Sequence, residues 1–254
     1  MSSYLRPVVF SVVASTFLAA AHAEEFRIET RVFSGNADLP ASESVTLFQE
    51  DVVYDFLEGS PQVAIFRRPQ GDTPGRFVLL DRDRQIRTEI TTDRISPLMK
   101  KLRDWGSKQN DPYLKFAANP AFDESFNETT GELVLESPLQ SYRLTTTPIE
   151  KSSAQTQLQD FLNWTTQLNA LIHGGPPPFP RLAVNAALAR HAVVPLEVQL
   201  TTSGDSQELR SVHLLTWRLS KQDRQRIDAA VNDMANFKQV SNKEFQDAEK
   251  TAQK

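Results

Sequence analysis

The stretch from Val45 to Ile90 limits what this chain can become more than any other. It holds five short runs rich in β-branched and aromatic residues: Val45 to Phe48, Val52 to Leu57, Val63 to Phe66, Phe77 to Leu80 and Ile86 to Ile90. Between them stand Gln49-Glu50-Asp51, Glu58 to Pro61, the Pro/Gly-rich Pro69 to Gly75, and Asp81-Arg82-Asp83-Arg84. Runs of this length and composition, closed off by turn residues, predict an antiparallel meander. Upstream, Phe26, Ile28, Thr30 and Val32 alternate with charged residues, which predicts one further half-buried strand.

After Thr92 the apolar period changes from two to between three and four. Ile95, Leu98, Met99, Leu102 and Trp105 predict a helix with Pro97 in its first turn and Gly106 near its end. Asp111 to Asn127 reads as irregular, pinned by Tyr113, Phe116, Phe122 and Phe126, and a hairpin about Ser137-Pro138 follows. Ser152 or Ser153 is placed to cap a helix with the stripe Leu158, Phe161, Leu162, Thr165, Leu168 and Ile172, stopped by Gly174 to Pro178. Pro180 opens a shorter helix, strands near 193–202 and 208–218 follow, and Ser220 with Asp223 caps a last helix. Ile227, Val231, Met234 and Phe237 are its expected inner face. The whole predicts an α+β fold in which a large curved, half-barrel-like antiparallel sheet carries helices packed on one face. Residues 24–240 are expected to form a single domain, and 241–254 a charged tail that is a frayed helix or disordered.

Arg6, the apolar run from Val8 to Ala20, and Ala21-His22-Ala23 have the form of a secretory signal peptide spanning 1–23 and cleaved after Ala23. A periplasmic or secreted location is therefore expected, with no transmembrane segment after cleavage. The chain contains no Cys, which removes disulfides, thiolate nucleophiles and Cys-rich metal sites, and also lipid attachment at an N-terminal Cys. A net charge of −4 argues against general nucleic-acid binding. The strip from Arg67 to Arg103 nonetheless holds ten Lys/Arg against five Asp/Glu. Such a strip can meet an anionic surface or an acidic partner, or can pair with acidic strands beside it.

Catalytic signatures are absent. No Gly-x-Ser-x-Gly, Walker or Gly-x-Gly-x-x-Gly pattern occurs among the nine Gly, and Asp81-Arg82-Asp83 reads as a solvated turn rather than a metal motif. His173 and His191 sit near predicted helix C-termini and His213 on a strand, beside no ligand-spaced partner, so structural roles are expected. No cofactor and no metal site is expected. The remaining signal is aromatic: Phe48, Tyr54, Phe56, Phe66, Phe77 and Trp217 either line an apolar ligand cavity beneath the helices or fill a packed core.

The order of elements, with Val45 to Phe56, Val63 to Arg67 and Phe77 to Ile90, resembles the LolA-like half-barrels, the periplasmic carriers of bacterial lipoproteins. The resemblance covers about a quarter of the chain and has no specific motif; no helix precedes the first strand, and the last element is a helix plus tail. It implies an acyl chain bound in a curved sheet capped by helices, without catalysis. The expected function is thus a non-enzymatic envelope protein that binds a lipid, lipoprotein or other apolar ligand. An envelope protein-interaction module with a filled core is the alternative, and a hydrolase with dispersed carboxylates the third reading.

Overall fold

A computed structural model describes residues 25–35, 37–149, 151–203 and 208–246; the expected signal peptide and the end of the charged tail lie outside the described residues. β1 (Phe26–Ser34), β2 (Ser42–Gln49), β3 (Val52–Leu57), β4 (Gln62–Arg67), β5 (Arg76–Asp81) and β6 (Ile86–Thr91) form the meander that the composition predicts. The β2–β3 turn is two residues long, because Gln49 pairs directly with Val52, and Glu50 takes a positive φ of 53° to close it. α1 (Thr92–Ser107) follows β6 without a loop, and α2 (Pro112–Ala118), β7 (Asp123–Asn127), β8 (Glu132–Glu136) and β9 (Gln140–Pro148) come next. The remainder is α3 (Ser152–Ile172), α4 (Phe179–Arg190), β10 (Val193–Thr202), β11 (Leu209–Thr216), α5 (Lys221–Asn236) and β12 (Lys238–Gln239), with a helical turn over 242–246.

Twelve strands join in one open sheet, in the order β12-β6-β5-β4-β3-β2-β1-β11-β10-β9-β8-β7. Every neighbouring pair is antiparallel except β12 with β6. The late hairpin β10–β11 is the seam: β11 pairs with β1 along its length, and β10 pairs with β9. Pro195 has no N–H to give the ladder, and the register shifts between Pro195 and Glu197 where β10 passes β9.

Alternate residues of the central strands go to different cores. On one face Phe26, Ile28, Phe48, Val53, Phe66 and Phe77 pack with Ile95 and Met99 of α1, Leu158, Phe161 and Leu168 of α3, and Phe179 at the start of α4. On the other, Leu47, Tyr54, Phe56, Ile65, Val78 and Leu80 pack with Leu219 and with Ile227 and Ala230 of α5. The expectation that all helices share one face is therefore corrected. The reason is visible in the strands themselves: Val52 to Leu57 and Phe77 to Leu80 are nearly continuous apolar runs, the mark of strands buried on both sides. α5 is also held to the sheet by charge, with Arg27 donating to Asp223 at 3.0 and 3.2 Å and Arg82 to Asp233 at 2.8 Å.

Several boundaries and faces differ from expectation. Pro97 lies inside α1, not in its first turn, since the helix runs back to Thr92. Leu98 and Trp105, expected to be buried, are exposed, and so is Val231 of α5. Gly106 is a packing position: a Cβ there would come within 2.9 Å of the Ala118 Cβ and 3.1 Å of the Pro177 ring, so it lets α1, α2 and the proline segment meet. The region expected to be irregular contains α2, capped by the Asp111 side chain accepting from the Tyr113 and Leu114 amides, and the edge strand β7. Ser152 is the first helical residue of α3 and Lys151 its cap position. The Ser220–Asp223 capping box is formed in both directions. Past Ser241, where a tail was expected, the helical turn 242–246 buries Phe245. Among the described residues no helix is long and apolar enough to cross a membrane.

Candidate functional site

The face beneath α3 is built from successive rows of side chains, fixed by register. The first row crosses the strands as Phe26, Phe48, Val53, Phe66, Phe77 and Ile90. It is filled. Phe26 stacks on Phe48 at 4.0 Å and Phe66 on Phe77 at 4.6 Å, while Phe161 of α3 meets Phe48 edge-on at 5.7 Å. Two residues further along each strand, the next row reads Ile28, Thr46, Asp55, Ala64, Leu79 and Thr88. Two rings and a valine, Phe48, Phe66 and Val53, give way there to Thr46, Ala64 and Asp55, and α3 cannot sink to close the gap because Phe161 rests on the rings of the first row.

Two cavities result. One, of about 270 Å³, is bounded by Asp55, Ala64 and Leu79 of the sheet and by Thr165, Leu168 and Ile172 of α3, with Phe245 beside it. The second, of about 170 Å³, lies between Thr46, Asp55 and Phe48 on the sheet and Leu158, Phe161 and Thr165 on α3, and reaches Arg181 and His213. They adjoin at Asp55 and Thr165. Taken together they fall in the range of about 300–1,000 Å³ usual for ligand pockets. Beyond Arg181 a third hollow of about 280 Å³ is lined by Val32, Tyr142, Arg181, Arg210 and Ser211.

The polar groups in this space are few, and Asp55, Arg181 and His213 among them are partly buried. Asp55 accepts a hydrogen bond from the Thr46 hydroxyl at 2.7 Å, and burial outweighs it, pushing the carboxyl above its ordinary range. His213 has Nδ1 at 2.9 Å from the Thr30 hydroxyl and Nε2 at 3.0 Å from Ser211 Oγ. Burial first, and the Arg181 charge second, bring its pKa down to about 4, so the ring is neutral at pH 7. Burial also lowers Arg181, against a smaller opposing effect from Tyr142. The Arg181 guanidinium has no ion pair and no hydrogen bond among the described residues. Thr165 Oγ1 is likewise buried without a hydrogen-bond partner among them.

Of the six aromatic residues read as cavity candidates, Phe48, Phe66 and Phe77 share the α3 face, where they form the filled row that borders the hollow. Trp217 lies just past β11, 42% exposed and 5.3 Å from the Phe26 ring. Tyr54 and Phe56 belong to the opposite core under α5, where Arg226 stands 4.3 Å over the Phe56 ring. The six are thus not brought together, because strand side chains alternate. Asp55, Arg181 and Thr46 were not singled out from the sequence. Asp55 had a signal: it is the lone charge in an apolar run and in phase with Val53. Arg181 had none, because the face a helical residue presents depends on how α4 docks.

The titratable groups that meet the hollows among the described residues include His213 and Asp55. A histidine with a pKa near 4 is a weak base at neutral pH, and a hydroxyl rather than a carboxylate orients it. Asp55 is the sole carboxylate among the described residues lining the three hollows, so no carboxylate pair converges there. His173 borders the larger cavity as the C-cap of α3, and His191, the C-cap of α4, pairs with Glu124 at 2.9 Å and stacks on Phe126. In the basic strip, Arg68, Arg76, Arg82, Arg84 and Arg87 form ion pairs with Asp160, Glu89, Asp233, Asp81 and Glu89. Compared with known proteins, the chain matches no family model and no curated protein.

Proposed function

We propose that this chain is an exported, non-enzymatic protein of the cell envelope that holds an apolar, acyl-type ligand between its sheet and α3. The observation that carries the proposal is the row Thr46, Asp55 and Ala64, which leaves a hollow beside a row of phenyl rings that leaves none. Its lining is mainly apolar with a few polar groups, the usual make-up of a small-molecule site. A half-barrel-like curvature of the sheet, kinship with the LolA-like carriers, and export by the 1–23 signal peptide belong to the same proposal. The open antiparallel sheet with α1, α3 and α4 against one face agrees with it.

Native mass spectrometry of the protein purified from its own host tests this reading. A retained adduct of lipid mass is expected and should be displaced by added fatty acid. A clean apo mass, together with no uptake of fatty acid by the purified chain, would sink it.

A further inference from the structure

We propose that Arg181 receives the anionic head group of the acyl ligand, a carboxylate or a phosphate, while the chain lies in the cavities beneath α3. This inference rests on the acyl-ligand reading and adds the chemical class of the ligand's polar end. Among the described residues Arg181 is the one cation that lines both the inner hollow with Asp55 and His213 and the outer hollow with Arg210 and Ser211. It therefore stands where an entering chain would leave its head. Arg181 is partly buried, and a guanidinium partly withdrawn from water normally has a carboxylate beside it, since desolvating an unpaired charge is costly. Among the described residues Arg181 has none, and its hydrogen-bonding capacity is unspent.

The surroundings agree in sign. His213 is neutral at pH 7, so it adds no competing charge and its two ring nitrogens are already engaged with Thr30 and Ser211. Among the described residues no acidic side chain lines the outer hollow to repel an anion, and Arg210, stacked at 4.3 Å over Phe33, adds a second positive charge on that side. Asp55 is the exception in the inner hollow. Burial holds its carboxyl above the ordinary carboxylate range, and it borders the space assigned to the chain rather than the outer hollow. Guanidinium recognises both carboxylate and phosphate through paired N–H donors, so the geometry points to the charge class without choosing between them.

The test is competition for a bound fluorescent fatty acid on the purified full chain at pH 7.5, using oleate, oleyl phosphate, methyl oleate and inorganic phosphate. Oleate or oleyl phosphate is expected to compete roughly ten- to a hundred-fold better than methyl oleate, as a buried charge-assisted hydrogen bond implies. Whichever of the two is stronger identifies the head group. Arg181→Met should erase that advantage, so that oleate, oleyl phosphate and methyl oleate compete about equally. Equal affinity of the native chain for oleate, oleyl phosphate and methyl oleate would overturn the role of Arg181 while leaving the cavity reading intact, and needs no variant to fold. Failure of all three lipids would overturn both. Competition by inorganic phosphate as strong as that of the anionic lipids, with none from the ester, would show a small-anion site and overturn the lipid head group.

Discussion

Phe66 and Ala64 lie on the same strand, on the same face, two residues apart, and they do opposite things. Phe66 belongs to a row of rings stacked at near-contact distances under Phe161. Ala64 belongs to the neighbouring row, and over it the space stays open. The outer face of the same strand shows a third outcome, with Val63 and Ile65 packed under α5. The lesson is that the cavity is not a property of the strand or of its hydrophobicity. It arises where small and polar residues align across several strands while a large residue, Phe161, holds the covering helix off.

The comparison breaks most sharply on the filled row. Phe66→Ala should destabilise the protein by about 3–5 kcal/mol in urea unfolding, because it removes a stacked ring from a row with no slack. A loss below about 1 kcal/mol would mean that this row is not packed as described. The hollow row responds to pH instead. His213 has its pKa lowered to about 4 in the folded chain, against about 6.5 when unfolded. Its stabilising contribution is present in full above pH 6.5 and is lost as the pH falls from 6.5 towards 4, because the unfolded chain takes up the proton first. The loss should reach at most about 3 kcal/mol, reduced by the part of the ring that faces the cavity. His213→Asn should flatten the unfolding free energy across that window relative to the native chain.

The outer face, packed under α5, supplies a control. Burial alone would raise the Asp223 carboxyl, but hydrogen bonds from Ser220 and the adjacent Arg27 guanidinium hold it below its ordinary range. Asp223→Ala should cost about 1–3 kcal/mol at pH 7, through loss of the capping box and of the Arg27 pairing. Since the folded pKa is depressed, that difference should shrink as the pH falls through the carboxylate range, where the native chain loses the same interaction. The smallest effect is expected at Ala64. Ala64→Leu adds volume to a hollow, so it should leave stability unchanged or raise it by about 0.5–1 kcal/mol while weakening fatty-acid uptake. In a filled row the same addition typically costs about 1–3 kcal/mol, so a loss of that size at Ala64 would show that the hollow is not open.

Much of the scaffold was legible in the residues. The six meander strands, the stop at Gly174 to Pro178 and the Ser220 capping box follow from local chemistry, so they could be read without knowing what packs where. α2 was missed because seven residues carry too little period to be seen. β7 was missed because an exposed edge strand carries little alternation, and its place is set by pairing with β8. The aromatic candidates fall on two faces for one reason: Phe48, Phe66 and Phe77 were grouped with Tyr54 and Phe56 by type, whereas the pleat assigns them to opposite faces.

By itself, then, the sequence determined the strand-rich scaffold, its turns, the Ser220 capping box and the lack of cysteine chemistry. These depend on residues adjacent in the chain. The tertiary structure decided that β11 would pair with β1, that α5 would cover the second face, and that Thr46, Asp55 and Ala64 would align under α3 with Arg181 at the end of the hollow. Those outcomes depend on register between strands and on the rotation of docked helices, which bring together residues far apart in the chain. Local propensity has no term for either.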